Sequence, residues 1–251
     1  MKDIKAIITD LDGTLLHSDK TVSDYTVSIL KKCREKGILV MAATARPART
    51  IVGYRELIGF DAVVTLNGAV IEASGNIIEN TIEREDGEHI LSGLLKLWNP
   101  VISIETDKGI FSNVYIPEWD TAVYDGFPEL PENTSLYKIL VNGNNKKLIK
   151  QTEKSLTDNT YYTIAQKRIV QIMSSDATKW NGIKAMLGHY GLSPEEAVYF
   201  GDDNDDIEPV RNCGIGVAVS NALEEVKNSA DAVAESNNND GAAKYLESIL
   251  F

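Results

Sequence analysis

The chain holds 251 residues, 43% hydrophobic and 25% charged, a composition that excludes disordered, collagen-like and disulfide-rich classes. With 37 acidic against 25 basic side chains its formal charge is −12, which argues against nucleic acid or an anionic membrane surface as a partner. No apolar run approaches the roughly 18 residues of a membrane span, nothing at the start resembles a secretory signal, and Cys33 and Cys213 read as buried thiols; a cytoplasmic location is expected.

Ile4 to Thr9 is a near-continuous apolar run, as in a strand buried on both faces. Beyond Gly13, Tyr25, Ile29, Leu30 and Cys33 recur at helical spacing, basic side chains crowd the last turns, and Gly37 follows as a stop. Ile38 to Ala43 reads as a second buried strand, Pro47 as the opening of a second helix, and Ala62 to Leu66 as a third strand. The order βαβαβ predicts a parallel sheet. Between residues 83 and 174 the texture changes. Ile90, Leu94, Leu95 and Leu97 suggest a helix, residues 101–106, 137–141, 161–165 and 169–173 suggest strands, and residues 145–156 a further helix. The α/β grammar then returns, with a helix marked by Trp180, Ile183, Leu187 and Tyr190 and stopped by Gly191. Strands follow at 197–200, 215–219 and 231–234, and helices at 222–228 and 241–250. The expected architecture is α/β: a Rossmann-like, parallel-sheet core of residues 1–82 and 175–251, interrupted by an α+β cap domain of residues 83–174.

Four groups of polar residues fall just after buried strands or at a helix start: Asp10-Leu11-Asp12-Gly13-Thr14-Leu15, Thr44 with Arg46, Lys179, and Gly201-Asp202-Asp203-Asn204-Asp205-Asp206. In an open parallel sheet, ligands bind in the crevice beyond the carboxyl ends of the strands. Carboxylates gathered there repel one another by several kcal/mol unless a cation offsets them, and a hard divalent ion such as Mg²⁺ takes oxygen ligands of this kind. Each residue has a plainer reading when taken alone. Asp-x-Asp on a loop is usually a turn or a helix cap, Thr44 an N-cap, and Lys179 a solvated lysine.

Together these residues resemble the haloacid dehalogenase superfamily, and within it the Cof-like hydrolases with a type IIB cap, over the whole chain. Asp10 to Leu15 resembles the first motif, Ala43-Thr44-Ala45-Arg46 the second, Lys179 the third, and Gly201-Asp202 with Asp206 the fourth. Asn67-Gly68-Ala69 and the stretch from Val217 to Ala222 resemble subfamily signatures. Ala45 stands where the family often has Gly, and Asp205 where its fourth motif usually has Asn. That Asn often touches phosphate, so the added charge would weaken phosphate binding or tighten metal binding.

The resemblance implies a Mg²⁺-dependent phosphatase acting on small phosphorylated metabolites, sugar phosphates among them. Asp10 would be the nucleophile and Asp12 the general acid and base. Asp10, Asp12 (through its carbonyl) and Asp202 would hold the metal, with Asp206 behind them. Thr44, Arg46, Lys179 and Asp205 would face the substrate, although Arg46 reads equally well as the partner of a nearby acid. A phosphomutase on the same scaffold and a non-catalytic phospho-ligand or metal-binding regulator remain as alternatives. The chain is expected to be a monomer or a weak homo-oligomer.

Overall fold

A computed structural model describes residues 3–165 and 168–251, which divide into two compact units, residues 3–79 with 178–251, and residues 80–165 with 168–177. In chain order the first unit begins with β1 (Ala6–Thr9), α1 (Asp24–Glu35), β2 (Leu39–Ala43), α2 (Val52–Ile58), β3 (Ala62–Thr65), β4 (Val70–Ala73) and β5 (Asn76–Glu79). The second unit supplies α3 (Arg84–Leu94), β6 (Ile102–Thr106), β7 (Gly109–Ser112), β8 (Ala122–Val123), β9 (Leu136–Asn142), α4 (Lys146–Ser155), β10 (Thr160–Ala165) and β11 (Ile169–Ser174). The chain then returns to the first unit through α5 (Lys179–His189), β12 (Ala197–Gly201), α6 (Ile207–Asn212), β13 (Ile215–Val219), α7 (Glu224–Lys227), β14 (Ala232–Ala234) and α8 (Gly241–Leu250).

The first unit is one sheet of order β14-β13-β12-β1-β2-β3-β4-β5. Its first six strands run parallel, and β4 and β5 close it as an antiparallel hairpin. Successive residues of β1 face opposite sides, so Ile7 packs with Ile29, Leu30, Val198, Phe200 and Leu246 while Ile8 packs with Met41, Val64, Ile183, Met186 and Tyr199. Burial on both faces explains why these strands read as unbroken apolar runs. Each fully buried Ile, Leu or Phe side chain contributes about 1.5–3 kcal/mol, which fixes the strand register.

Two local expectations need correction. Pro47 does not open a helix; its backbone is extended (φ −72°, ψ 151°) and a short 3-10 turn, Ala48–Thr50, precedes α2. Backbone bonds from Leu66 N to Arg46 O and from Asn67 N to Thr44 O tie this stretch to the end of β3 and delay the helix. The β4–β5 hairpin had no counterpart in the expected elements. Every residue of β5 is exposed, so it carries no burial pattern to read.

The second unit is a sheet of order β10-β11-β9-β6-β7-β8, antiparallel except for the β7–β8 pair. On one face Ile90, Leu91, Leu94 and Leu148, from α3 and α4, pack against Ile102, Ile104, Ile139, Val170 and Ile172. Alternation places Ser103, Glu105, Lys138 and Gln171 on the other face, all buried, with Lys138 Nζ donating to Gln171 Oε1 at 2.6 Å. No helix among the described residues is long and apolar enough to cross a membrane.

Candidate active site

The site of the first unit is built where adjacent strands β1 and β12 end. Asp10 N donates to Phe200 O at 2.9 Å, extending the ladder by one residue and fixing Asp10 at the strand tip. The chain then turns, with Leu16 N bonded to Leu11 O at 2.8 Å. Leu11, Leu15 and Leu16 are buried and anchor this turn in the core. Gly13 is required here twice over. Its φ of +84° favours glycine, and a Cβ would lie 2.5 Å from Asp202 Oδ2.

Beyond β12, Asp206 organises the facing loop. It is fully buried, and four donors converge on its carboxylate. Oδ2 accepts from the backbone N–H groups of Asp202 (2.9 Å) and Asp203 (3.1 Å), and Oδ1 from Lys179 Nζ (2.7 Å) and the Tyr199 hydroxyl (2.5 Å). The loop therefore folds around an acid whose hydrogen-bonding capacity is filled, which makes Asp206 a scaffold for Asp202.

Lys179 opens α5 behind the Thr178 cap, and its side chain is 2% exposed. Its ammonium lies 2.8 Å from Asp10 Oδ1, 2.7 Å from Asp206 Oδ1 and 3.3 Å from Asp205 Oδ2. Burial alone would discharge such a lysine, but Asp10, Asp205 and Asp206 outweigh it and hold Lys179 well above the usual lysine range. Asp205 Oδ2 also accepts from Asn67 Nδ2 at 2.6 Å. Burial pushes the Asp205 carboxyl up while Lys179 pulls it down, with the net shift upward.

Asp12 belongs to a separate cluster. Arg46 grips it with two donors, Nε to Oδ2 at 2.5 Å and an Nη to Oδ1 at 2.7 Å, and Lys20 Nζ reaches Oδ1 at 2.7 Å. Burial opposes ionisation of Asp12, but these hydrogen bonds outweigh it and hold its carboxyl below the usual range. The Arg46 guanidinium lies 5.5 Å from the centre of the Tyr54 ring, and the Tyr54 hydroxyl donates to Lys20 O.

Carboxylate oxygens of Asp10, Asp202 and Asp206 lie within 4.8 Å of one another. Asp206 is already saturated by its donors, which leaves Asp10 and Asp202 for a cation. Asp202 Oδ1 accepts from the Thr14 hydroxyl at 2.6 Å. Burial nevertheless pushes its carboxyl up to about 7, against the Thr14 bond and with help from Asp206. An all-oxygen donor set under this strain fits a hard divalent ion such as Mg²⁺, which relieves both acids at once.

Of the residues singled out in the sequence, Asp10, Lys179, Asp202, Asp205 and Asp206 meet around one buried ammonium and one loop. Asp12 and Arg46 meet each other. Thr44 is buried at the end of β2, where its hydroxyl accepts from Arg46 N at 3.2 Å. Four further residues hold this geometry without having been assigned a part from the sequence: Thr14 on Asp202, Lys20 on Asp12, Tyr199 on Asp206, and Asn221, whose Nδ2 donates to Gly13 O at 2.7 Å. Thr14 and Asn221 lie inside the noted motifs. Lys20 and Tyr199 carry no sequence signal, Tyr199 because it sits in an apolar strand and reads as core.

The sequence profile of the haloacid dehalogenase-like hydrolases matches residues 7–246. The chain is 23% identical over 261 residues to the 5-amino-6-(5-phospho-D-ribitylamino)uracil phosphatase YitU of Bacillus subtilis, covering 96% of each chain. It is 25% identical over 270 residues to the chloroplastic endoribonuclease YBEY of Arabidopsis thaliana, where 98% of this chain spans only 46% of that protein. Among solved structures, a phosphatase of the haloalkanoate enzyme superfamily from Bacteroides thetaiotaomicron superposes with a TM-score of 0.86 at 26% identity, covering 98% of this chain and 94% of that one.

Proposed function

The chain belongs to the haloacid dehalogenase-like hydrolases, and from that membership we propose that it is a Mg²⁺-dependent phosphatase of small organic phosphate monoesters that works through a phosphorylated Asp10. The observation that carries this reading is the buried contact between Asp10 Oδ1 and Lys179 Nζ at 2.8 Å, with Asp202 within 4.8 Å on the same strand-end crevice.

In this reading Asp10 attacks phosphorus in line, the P–O bond to the alcohol breaks, and the phosphoryl group is carried on the Asp10 carboxylate. Burial pushes the Asp10 carboxyl well above the usual range and Lys179 works against that shift; Lys179 also orients Asp10, and its charge balances the equatorial oxygens as they pass. Asp12 gives a proton to the departing alkoxide, then takes one from the water that cleaves the Asp10–phosphorus bond. Release of Asp12 from the Arg46 fork is part of that cycle, because a carboxylate held by two cations resists taking up the proton it has to deliver. Thr44 and Arg46 stand at the end of β2 to receive phosphoryl oxygens. Asp10, Asp202 and the Asp12 carbonyl would hold Mg²⁺, which supplies charge neutralisation between nucleophile and phosphate.

The substrate class is a phosphorylated sugar or polyol small enough to enter the crevice. The B. subtilis relative, whose named substrate carries a phosphoribityl group, supports that choice. The test is phosphate release from a panel of sugar and polyol phosphates with Mg²⁺, beside EDTA and Asp10→Asn controls. Release that disappears in both controls supports the reading. Release that survives Asp10→Asn removes Asp10 from the chemistry, and phosphate moved to a second hydroxyl of the substrate would replace the phosphatase by a mutase.

A further inference from the structure

Lys179 has three N–H donors and three carboxylate neighbours. Two of them, Asp10 and Asp206, are at 2.8 and 2.7 Å and have side chains 7% and 0% exposed. The third, Asp205, is at 3.3 Å and its side chain is 27% exposed. An oxygen arriving from solvent must take one of those donors, and the longest and most accessible contact is the one it can displace. The same Asp205 oxygen receives Asn67 Nδ2 at 2.6 Å. Two donors on one oxygen make the site look like an anion-binding pair already carrying an anion.

We infer that Asp205 is an internal competitor for an anion subsite formed by Lys179 and Asn67. Its carboxylate occupies the donors that a phosphate oxygen uses, so free phosphate binds weakly and leaves readily. The inference rests on the phosphatase reading and deepens it. It gives a physical meaning to the acid that stands where the family usually has Asn. An amide at 205 keeps a partner for Asn67 and removes the negative charge. A fixed carboxylate a few ångströms from a bound phosphate, damped by solvent at a partly open position, lowers affinity by about ten- to a hundredfold.

The experiment is calorimetric titration of inorganic phosphate into the Mg²⁺-loaded protein at pH 8, for the wild type, Asp205→Asn and Glu208→Gln. Glu208 is an exposed acid in the first turn of α6, and its variant removes the same unit of charge three residues away. The expected result is phosphate affinity at least tenfold tighter in Asp205→Asn and within twofold of wild type in Glu208→Gln. Equal tightening in both variants would reduce the effect to net charge and overturn the competitor role. Unchanged or weaker binding in Asp205→Asn, with wild-type binding measurable, overturns it while leaving the phosphatase reading intact. If none of the three proteins binds phosphate, the competitor role is overturned, and the phosphatase reading is decided separately by the release assay with its EDTA and Asp10→Asn controls.

Discussion

Replacing Tyr199 by Phe removes one oxygen from the centre of the site and almost nothing else. The ring is fully buried and the aromatic volume is kept, so no cavity opens. What is lost is the 2.5 Å hydrogen bond from the hydroxyl to Asp206 Oδ1. A hydrogen bond to a charged group contributes about 1.5–3 kcal/mol. Asp206 Oδ1 retains Lys179, so the acid is not orphaned and the lower half of that range, about 1.5–2 kcal/mol, is expected. For a domain of this size that corresponds to a fall in Tm of roughly 3–8 °C. Asp206→Asn is the harsher companion. It turns an N–H toward donors already present and leaves Lys179 with one acid fewer, at a cost of about 3–5 kcal/mol. Because Asp202 N and Asp203 N hang from the same carboxylate, Asp206→Asn also loosens the Asp202 loop, and Mg²⁺ affinity is expected to fall about ten- to a hundredfold. Differential scanning calorimetry and Mg²⁺ titration of both variants read these effects. A Tyr199→Phe protein as stable as wild type, together with an Asp206→Asn protein that binds Mg²⁺ normally, would refute the scaffold role of Asp206.

Gly13→Ala places a methyl 2.5 Å from Asp202 Oδ2 at a φ of +84°, so roughly 1–3 kcal/mol of strain and a weakened Mg²⁺ site are expected, read by the same two methods. Arg46→Lys keeps the charge but loses the planar fork that leaves Asp12 to receive phosphoryl oxygens, and kcat/KM is expected to drop between about tenfold and a hundredfold; steady-state kinetics with wild-type values would show that the fork only parks Asp12. Asp240 Oδ1 accepts from His17, Ser23 and Thr26 at 2.9, 2.7 and 3.0 Å. Burial opposes its ionisation, yet Ser23, His17 and Thr26 outweigh it and hold its carboxyl below the usual range. A depressed carboxyl adds stability that is present above its unfolded pKa, near 4 for Asp, and is lost as pH falls through the folded value. Asp240→Asn is therefore expected to lower Tm at pH 7 and to flatten the acid side of the Tm–pH curve. An unchanged acid limb would locate the acid sensitivity elsewhere.

The parallel half of the sheet was legible because strands buried on both faces must be apolar almost throughout, as Ala6 to Ile8 and Ile215 to Val219 are. The β4–β5 hairpin was not, since Ile77 and Ile78 lie adjacent and exposed at the sheet edge with no alternation to mark a face. In the site, the acids at 10, 202 and 206 stood out because unpaired carboxylates at strand ends demand compensation. The meeting of Asp10 and Asp206 on Lys179 depends on a contact 169 residues apart in sequence, which no local pattern encodes. Tyr199 shows the limit most clearly. Its ring satisfies the apolar pattern of β12, and only the fold reveals that its hydroxyl points at Asp206.

The measurement that bears most directly on the account is covalent trapping on residue 10. The Mg²⁺-loaded protein is mixed with a hydrolysable sugar phosphate, quenched in acid within milliseconds, reduced with borohydride and mapped by mass spectrometry. A phosphorylated Asp10 is reduced to homoserine, so the account predicts homoserine at position 10 in the wild type, none when substrate is omitted, and none in Asp10→Asn. Phosphate release at full rate with Asp10 unmodified at every quench time would contradict it.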